Sequence, residues 1–289
     1  MQAQATEHQF HFPTDWKSIY DRIQAIDPIK YASTRNFENG ALTLLGPYIS
    51  RGVISTKFVF EHVNSLDLEW KATEKLVQEL AWRDYWQQIW VVKHNQIESD
   101  FNFEQKDILH TGVPTSIVEA NTGIEAIDEA IEIFYKTGYL HNHMRMYIAA
   151  VCCNIGKYHW SAPANWMYAN LLDGDLASNH LSWQWVAGTF SNRKYLANQE
   201  NINKYSGTED VGTFLDSDYR KFNDMVIPQE LTGKSAVELM TILPEKTPVT
   251  LDKKLPTMIQ KSMGSFMIEN IISCFFISPI LTILKKLQI

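Results

Sequence analysis

Helical periodicity dominates the chain. In QELAWRDYWQQIW, the large side chains Trp82, Tyr85, Trp86, Ile89 and Trp90 recur at i, i+3, i+4, i+7 and i+8, the spacing of one helix face. In GIEAIDEAIEIFYKTG, Ile124, Ile127, Ile131 and Phe134 make a second stripe, acidic residues take the opposite side, and Gly138 supplies the stop. Strand-like alternation is scarce. Neither the glycine fingerprint of dinucleotide-binding βαβ units nor a phosphate-loop motif occurs, so a parallel-sheet nucleotide fold is not expected, and no internal repeat is present. After about Gly207 the pattern dissolves into turns (GTEDVGTFLDSD) and a linker-like stretch punctuated by Pro228, Pro244, Pro248 and Pro256. The pattern predicts an all-α body over residues 25–210, an N-terminal extension over 1–24 and a divergent C-terminal region over 211–289. That last region holds the apolar run SFMIENIISCFFISPILTIL (265–284), close to the ~20 residues of a membrane span. Glu269 and Pro279 interrupt it, and a docked terminal helix fits it better than a span.

Composition changes this picture little. The 289 residues are 45% hydrophobic and 20% charged, as in ordinary globular proteins, but nine Trp and twelve Tyr are generous and suit stacking on flat ligands as well as core filling. A net charge of -7 argues against a surface that grips nucleic acid everywhere. Locally the balance reverses: Tyr139 to Tyr205 carries five Arg or Lys against three acids, whereas Val118 to Tyr135 carries five acids and no base. Three cysteines form neither a disulfide framework nor a four-thiolate metal site, and the N-terminus has no signal-peptide pattern, so a reducing, cytoplasmic setting is expected.

Four clusters hold polar residues that a plain helical bundle does not need. In YASTRNFENGALTLLGPYISRG, the hydroxyls of Tyr31 and Thr43 flank a turn whose N–H groups suit phosphate, although on this cluster alone a simple interhelical loop fits better. Glu79, Trp82, Arg83 and Trp86 share a face, either to hold an anion beside a planar group or as a solvated Glu79–Arg83 pair. In GYLHNHMRM, Asn142, Arg145 and Met146 align at i, i+3 and i+4, while His141 and His143 lack a third ligand and no metal is expected. In LLDGDLASNHLSWQW, the Asp173-Gly-Asp175 pair lacks the spacing of a calcium loop. It leaves an anionic and amide edge (Asp173, Asp175, Asn179) beside stacking rings.

These motifs, in this order from Ile29 to Tyr205, resemble the helical FAD-binding domain of the photolyase/cryptochrome family. The resemblance implies a single FAD and no antenna pigment, since only about thirty residues precede the motifs where the family carries an α/β antenna domain. It assigns Tyr31, Thr43 and the turn at Leu44 and Leu45 to the FAD phosphates, places Arg83, Asn142, Arg145, Asp173 and Asp175 around the cofactor, and sets Asn179 at the flavin N5 edge. It implies a cyclobutane pyrimidine dimer sandwiched by Trp82 and Trp185, contacted by Glu79 and bordered by Asn142 and Met146. Trp183 and Trp160 match the first two members of the family's electron-transfer chain; KDILHTGVPTS, where a third is expected, has no Trp, so another ring such as Trp86, Trp90 or a tyrosine would have to serve. The expected function is light-driven repair of dimer-containing DNA by a monomer. The alternatives are a cryptochrome-like light sensor and a FAD-binding or helical interaction protein without photochemistry.

Overall fold

The computed structural model describes residues 10–232, and their regular structure is helical. Among them the only β pairing is an isolated bridge between His110 and Tyr158. The apolar run at 265–284 lies outside the described residues. Within them, no helix is long and apolar enough to cross a membrane.

The helices start where side chains can satisfy their orphan N–H groups. Asp15 caps α1 (Trp16–Gln24), Asp27 caps α2 (Pro28–Thr34) with Pro28 in its first turn, and a short α3 (Gly46–Ser50) follows the 41–45 turn. Ser55 caps α4 (Thr56–Ser65), which leads into the long α5 (Trp70–Lys93). After a loop and the single-turn α6 (Thr115–Val118) come α7 (Glu125–Thr137), ended by Gly138 at φ 67°, and α8 (Asn142–Ala150), which runs on into a π-turn at Val151–Ile155. The described helices close with α9 (Ser161–Asn170), α10 (Leu176–Ala187) and α11 (Gln199–Ser206).

The stripe Ile124, Ile127, Ile131 and Phe134 is wholly buried, as its period implies. It joins Trp160 and Trp183 in the larger of two main cores, while Ile19, Ile23, Val59, Leu76 and Val77 make the second. The packed body therefore takes in α1 before residue 25 and Leu215, Phe222 and Leu231 after residue 210. On α5 the core face is not the aromatic stripe. Thr73, Leu76, Val77, Leu80 and Ala81 are buried, whereas Trp82, Tyr85 and Trp90 stay exposed and only Trp86 of that face is covered. The reason is length: a 24-residue helix crosses from one core to the rim of a cavity, and its middle turns, at Glu79, Trp82, Arg83 and Trp86, face that rim.

Candidate functional site

One cavity of about 480 Å³ opens between α2, the 42–46 turn, α5, α8 and α10. Its size is that of a small-molecule or cofactor site. Asp173 sits at its inner wall, 8% exposed, and both carboxylate oxygens accept from Arg145 Nη2, at 2.9 and 3.0 Å. Arg145 Nε donates to the Leu140 carbonyl at 2.8 Å, and its guanidinium lies 6.0 Å from the centre of the Tyr139 ring. The other side of Asp173 is closed by backbone. A Cβ placed on Gly46 would stand 2.6 Å from Asp173 Oδ2, so the turn from Leu45 into α3 needs glycine there. Before it, Leu44 holds a left-handed φ of 52°, with its carbonyl accepting from Arg22 Nη1 at 3.2 Å.

Asp175 is occupied differently. Oδ1 accepts from Ser178 N at 2.7 Å as the cap of α10, and Oδ2 accepts from Gln87 Nε2 on α5. Asn179, one helical turn on, lines the cavity with Nδ2 donating to the Ala164 carbonyl at 2.9 Å. Across the cavity, Tyr31, Thr43, Leu44 and Leu45 line one side and Arg83 and Asn142 another. The two readings of the Glu79 face separate here. Glu79 lies 3.9 Å from Arg35, the C-cap of α2, and among the described residues Arg83 forms no ion pair. Burial pushes the Glu79 carboxyl above its ordinary value, with Arg35 and Lys75 opposing.

Glu79, Trp82, Asn142 and Met146 line the same cavity as Asp173 and Asn179. Trp82 stacks on Trp86 with ring centres 5.2 Å apart. Trp185 is not among the lining residues; it is 39% exposed, with its ring 5.9 Å from that of Tyr195. Positions two apart on a helix are about 200° apart in direction. Trp185 is thus turned away from Trp183, yet it falls on the helix face of Ser178 and Ser182, which line the cavity. Trp160 is fully buried, and its indole Nε1 donates to Asp100 Oδ1 at 2.7 Å. Arg35, Tyr139, Ser178 and Ser182 also line the cavity without having been singled out from sequence. Arg35 was legible in principle, four residues after Tyr31 on one helix face.

A family model for the FAD-binding domain of DNA photolyase matches residues 76–216. Residues 76–216 carry the FAD-binding domain of the photolyase/cryptochrome family. The chain is 28% identical over 158 residues to a deoxyribodipyrimidine photo-lyase of Buchnera aphidicola (51% of this chain, 32% of the relative). It is 25% identical over 191 residues to cryptochrome DASH of Xenopus laevis (61% and 36%). The fold is similar to that of a class III photolyase from Agrobacterium tumefaciens, with TM-score 0.58 and 23% identity over 66% of this chain and 42% of that one. The chain thus spans about a third of the length of the curated relatives it matches.

FAD is the cofactor of this photolyase-type domain, and the cavity suits it. Ser178 Oγ is buried without a partner on a lining residue, a polar atom that a ligand hydroxyl or phosphate would satisfy. Arg83, which forms no ion pair among the described residues, supplies positive charge, and Asp173 retains acceptor capacity beyond its Arg145 contacts.

The histidines of the site serve structure. His141 Nε2 lies 3.1 Å from the Arg35 carbonyl and His143 Nδ1 3.1 Å from that of Asn36, tying α8 to α2. Burial depresses His141 to about 4, and His180, beside Asn179, also to about 4. Below the ordinary value of 6.5 the unfolded chain takes up protons on these rings that the folded chain refuses, so stability falls with pH between 6.5 and about 4. The expected loss is about 1–3 kcal/mol for each ring. Chemical denaturation at pH 7 and pH 5 should show it, and His141→Asn should flatten the slope; an unchanged slope counts against burial of a neutral ring.

Proposed function

We propose that the chain repairs cyclobutane pyrimidine dimers in DNA with light, using the bound FAD. One observation carries this reading: the residues expected to meet the lesion (Glu79, Trp82, Asn142 and Met146) share a single cavity with those expected to hold the cofactor. Bound FAD supplies a light-excited electron to the dimer. The protein's own contribution is placement. Trp82, exposed at the rim, offers a face for a flipped-out pyrimidine, which a duplex would otherwise bury. Glu79, 3.9 Å from Arg35 at the same cavity, presents its carboxyl to hydrogen-bond a pyrimidine. Arg145 holds Asp173 in one orientation so that its remaining lone pairs face a cofactor donor. The test is repair of an irradiated oligothymidine under blue light by the purified, FAD-loaded protein; bound FAD with no repair overturns the reading.

Light sensing without repair is the second reading, favoured by the likeness to cryptochrome DASH. Bound FAD with a light-dependent change in the protein and no repair would select it.

Asn179 offers a local check. Because its Nδ2 is committed to Ala164, Oδ1 is the atom left to accept from a flavin N–H. Asn179→Asp sets a carboxylate against the Ala164 carbonyl. The expected outcome is a loss of about 1–3 kcal/mol, together with a change in the reduced form of FAD that accumulates in blue light. Unchanged spectra with full FAD occupancy count against the assignment.

A further inference from the structure

We infer that Asp100 is the proton acceptor for an oxidised Trp160, so that the chain's electron route ends at Trp160. This rests on the reading of Trp183 and Trp160 as the route that supplies electrons to FAD in the cavity.

The geometry around Trp160 is specific. The ring is buried in the larger core at the start of α9, and its one polar atom, Nε1, donates to Asp100 Oδ1 at 2.7 Å. The same oxygen lies 3.4 Å from His159 Nε2. His159 Nδ1 accepts from the Ser161 backbone N–H at 3.3 Å, so the ring proton belongs on Nε2, directed at Asp100. Asp100 Oδ2 accepts from Gln105 N at 2.7 Å, and Gln105 Oε1 accepts from Trp160 N at 2.9 Å. The carboxylate is therefore held in place by the same segment that holds the indole, and its side chain keeps 21% exposure to water. His159 acts as a positioning residue for that carboxylate.

A route that stops at Trp160 needs a trap. Among the described residues, the rings within stacking range of Trp160 are His159 at 5.8 Å and His180 at 5.6 Å, and neither imidazole is readily oxidised. The chain offers no tryptophan between residues 106 and 116 to take the charge onward. Left as a cation in an apolar core, Trp160 would recover its electron quickly. An indole radical cation, however, is an acid of roughly carboxylic strength, and the hydrogen bond to Asp100 is already formed.

The step balances as follows. With FAD bound, Trp183 would give one electron to the light-excited, oxidised cofactor, and Trp160 would give one electron to Trp183, restoring it. The Nε1–H bond of Trp160 breaks and an O–H bond forms on Asp100, leaving a neutral indolyl radical and a neutral carboxyl. Asp100 releases the proton to water. A thiol in solution then returns one hydrogen atom to Trp160 and becomes a thiyl radical.

Flash photolysis with EPR detection on the FAD-loaded full chain tests this. The wild-type protein should form a neutral tryptophan radical, absent in Trp160→Phe and formed more slowly in D2O. Asp100→Asn keeps an acceptor for the indole but cannot take its proton. It should give a cation that recombines about tenfold faster, a change equivalent to about 1.4 kcal/mol, and Asp100→Glu should restore the slow decay. FAD-free protein supplies a second readout: the indole N–H resonance of Trp160 should move in Asp100→Asn and return in Asp100→Glu. An identical neutral radical in Asp100→Asn overturns the inference, as does an unmoved resonance. Should Asp100→Asn fail to fold, the wild-type isotope effect decides, and its absence is equally fatal. If the wild-type protein forms no tryptophan radical, or Trp160→Phe behaves as wild type, the electron-route reading fails and takes the inference with it, even where the resonance confirms the contact.

Discussion

Asp173→Ala is expected to release FAD and to lower the melting temperature in the same variant. Asp173 is the buried acid that neutralises Arg145, and removing it leaves a guanidinium facing the cavity whose N–H groups, among the described residues, donate only to the Leu140 carbonyl. Breaking a fully enclosed pair costs ~3–5 kcal/mol; Arg145 keeps 24% side-chain exposure, so about 2–3 kcal/mol is the expected loss. For a folded body of this size that is a fall of roughly 4–12 °C. Gly46→Ala reaches the same acid from the other side, since its Cβ would force Asp173 Oδ2 from its 2.6 Å position. The alanine at position 46 should therefore lower FAD occupancy while leaving both charges in the chain. FAD absorbance after gel filtration and thermal melting of both variants check this. Full occupancy in both shows that Asp173 does not border the cofactor.

The second large effect belongs to Trp82→Ala. Trp82 is 44% exposed at the cavity rim and packs on Trp86, so the truncation removes a stacking face without emptying a buried site. Base–aromatic stacking is worth ~1–3 kcal/mol per base, so binding to dimer-containing DNA should weaken about tenfold or more. Binding to undamaged DNA, held through phosphates, should change much less. Trp185→Ala makes an internal comparison, because that ring is not among the lining residues and lies beside Tyr195. Equal loss of damaged and undamaged affinity in Trp82→Ala removes the stacking role, and a larger effect at Trp185 than at Trp82 shows that the lesion lies elsewhere.

Much of this protein is determined by local sequence. Capping side chains at Asp15, Asp27, Ser55 and Asp175, the left-handed glycine at 138 and the stripe from Ile124 to Phe134 act within one or two helical turns, and each forms the element its pattern implies. The motifs that line the cavity were legible for the same reason, as short runs of polar residues on faces that a core would not use. Only the tertiary structure decided which partner each of those residues takes. Glu79 meets Arg35 rather than Arg83, Arg145 meets Asp173, Gln87 meets Asp175, and Asp100 meets Trp160. These contacts join separate helices and loops, and neither helical period nor residue type specifies distance across a packed core. The same holds for the faces of α5 and α10. Periodicity groups Trp82 with Trp86 and separates Trp183 from Trp185, but which group faces the core, the cavity or solvent depends on where the neighbouring helices pack.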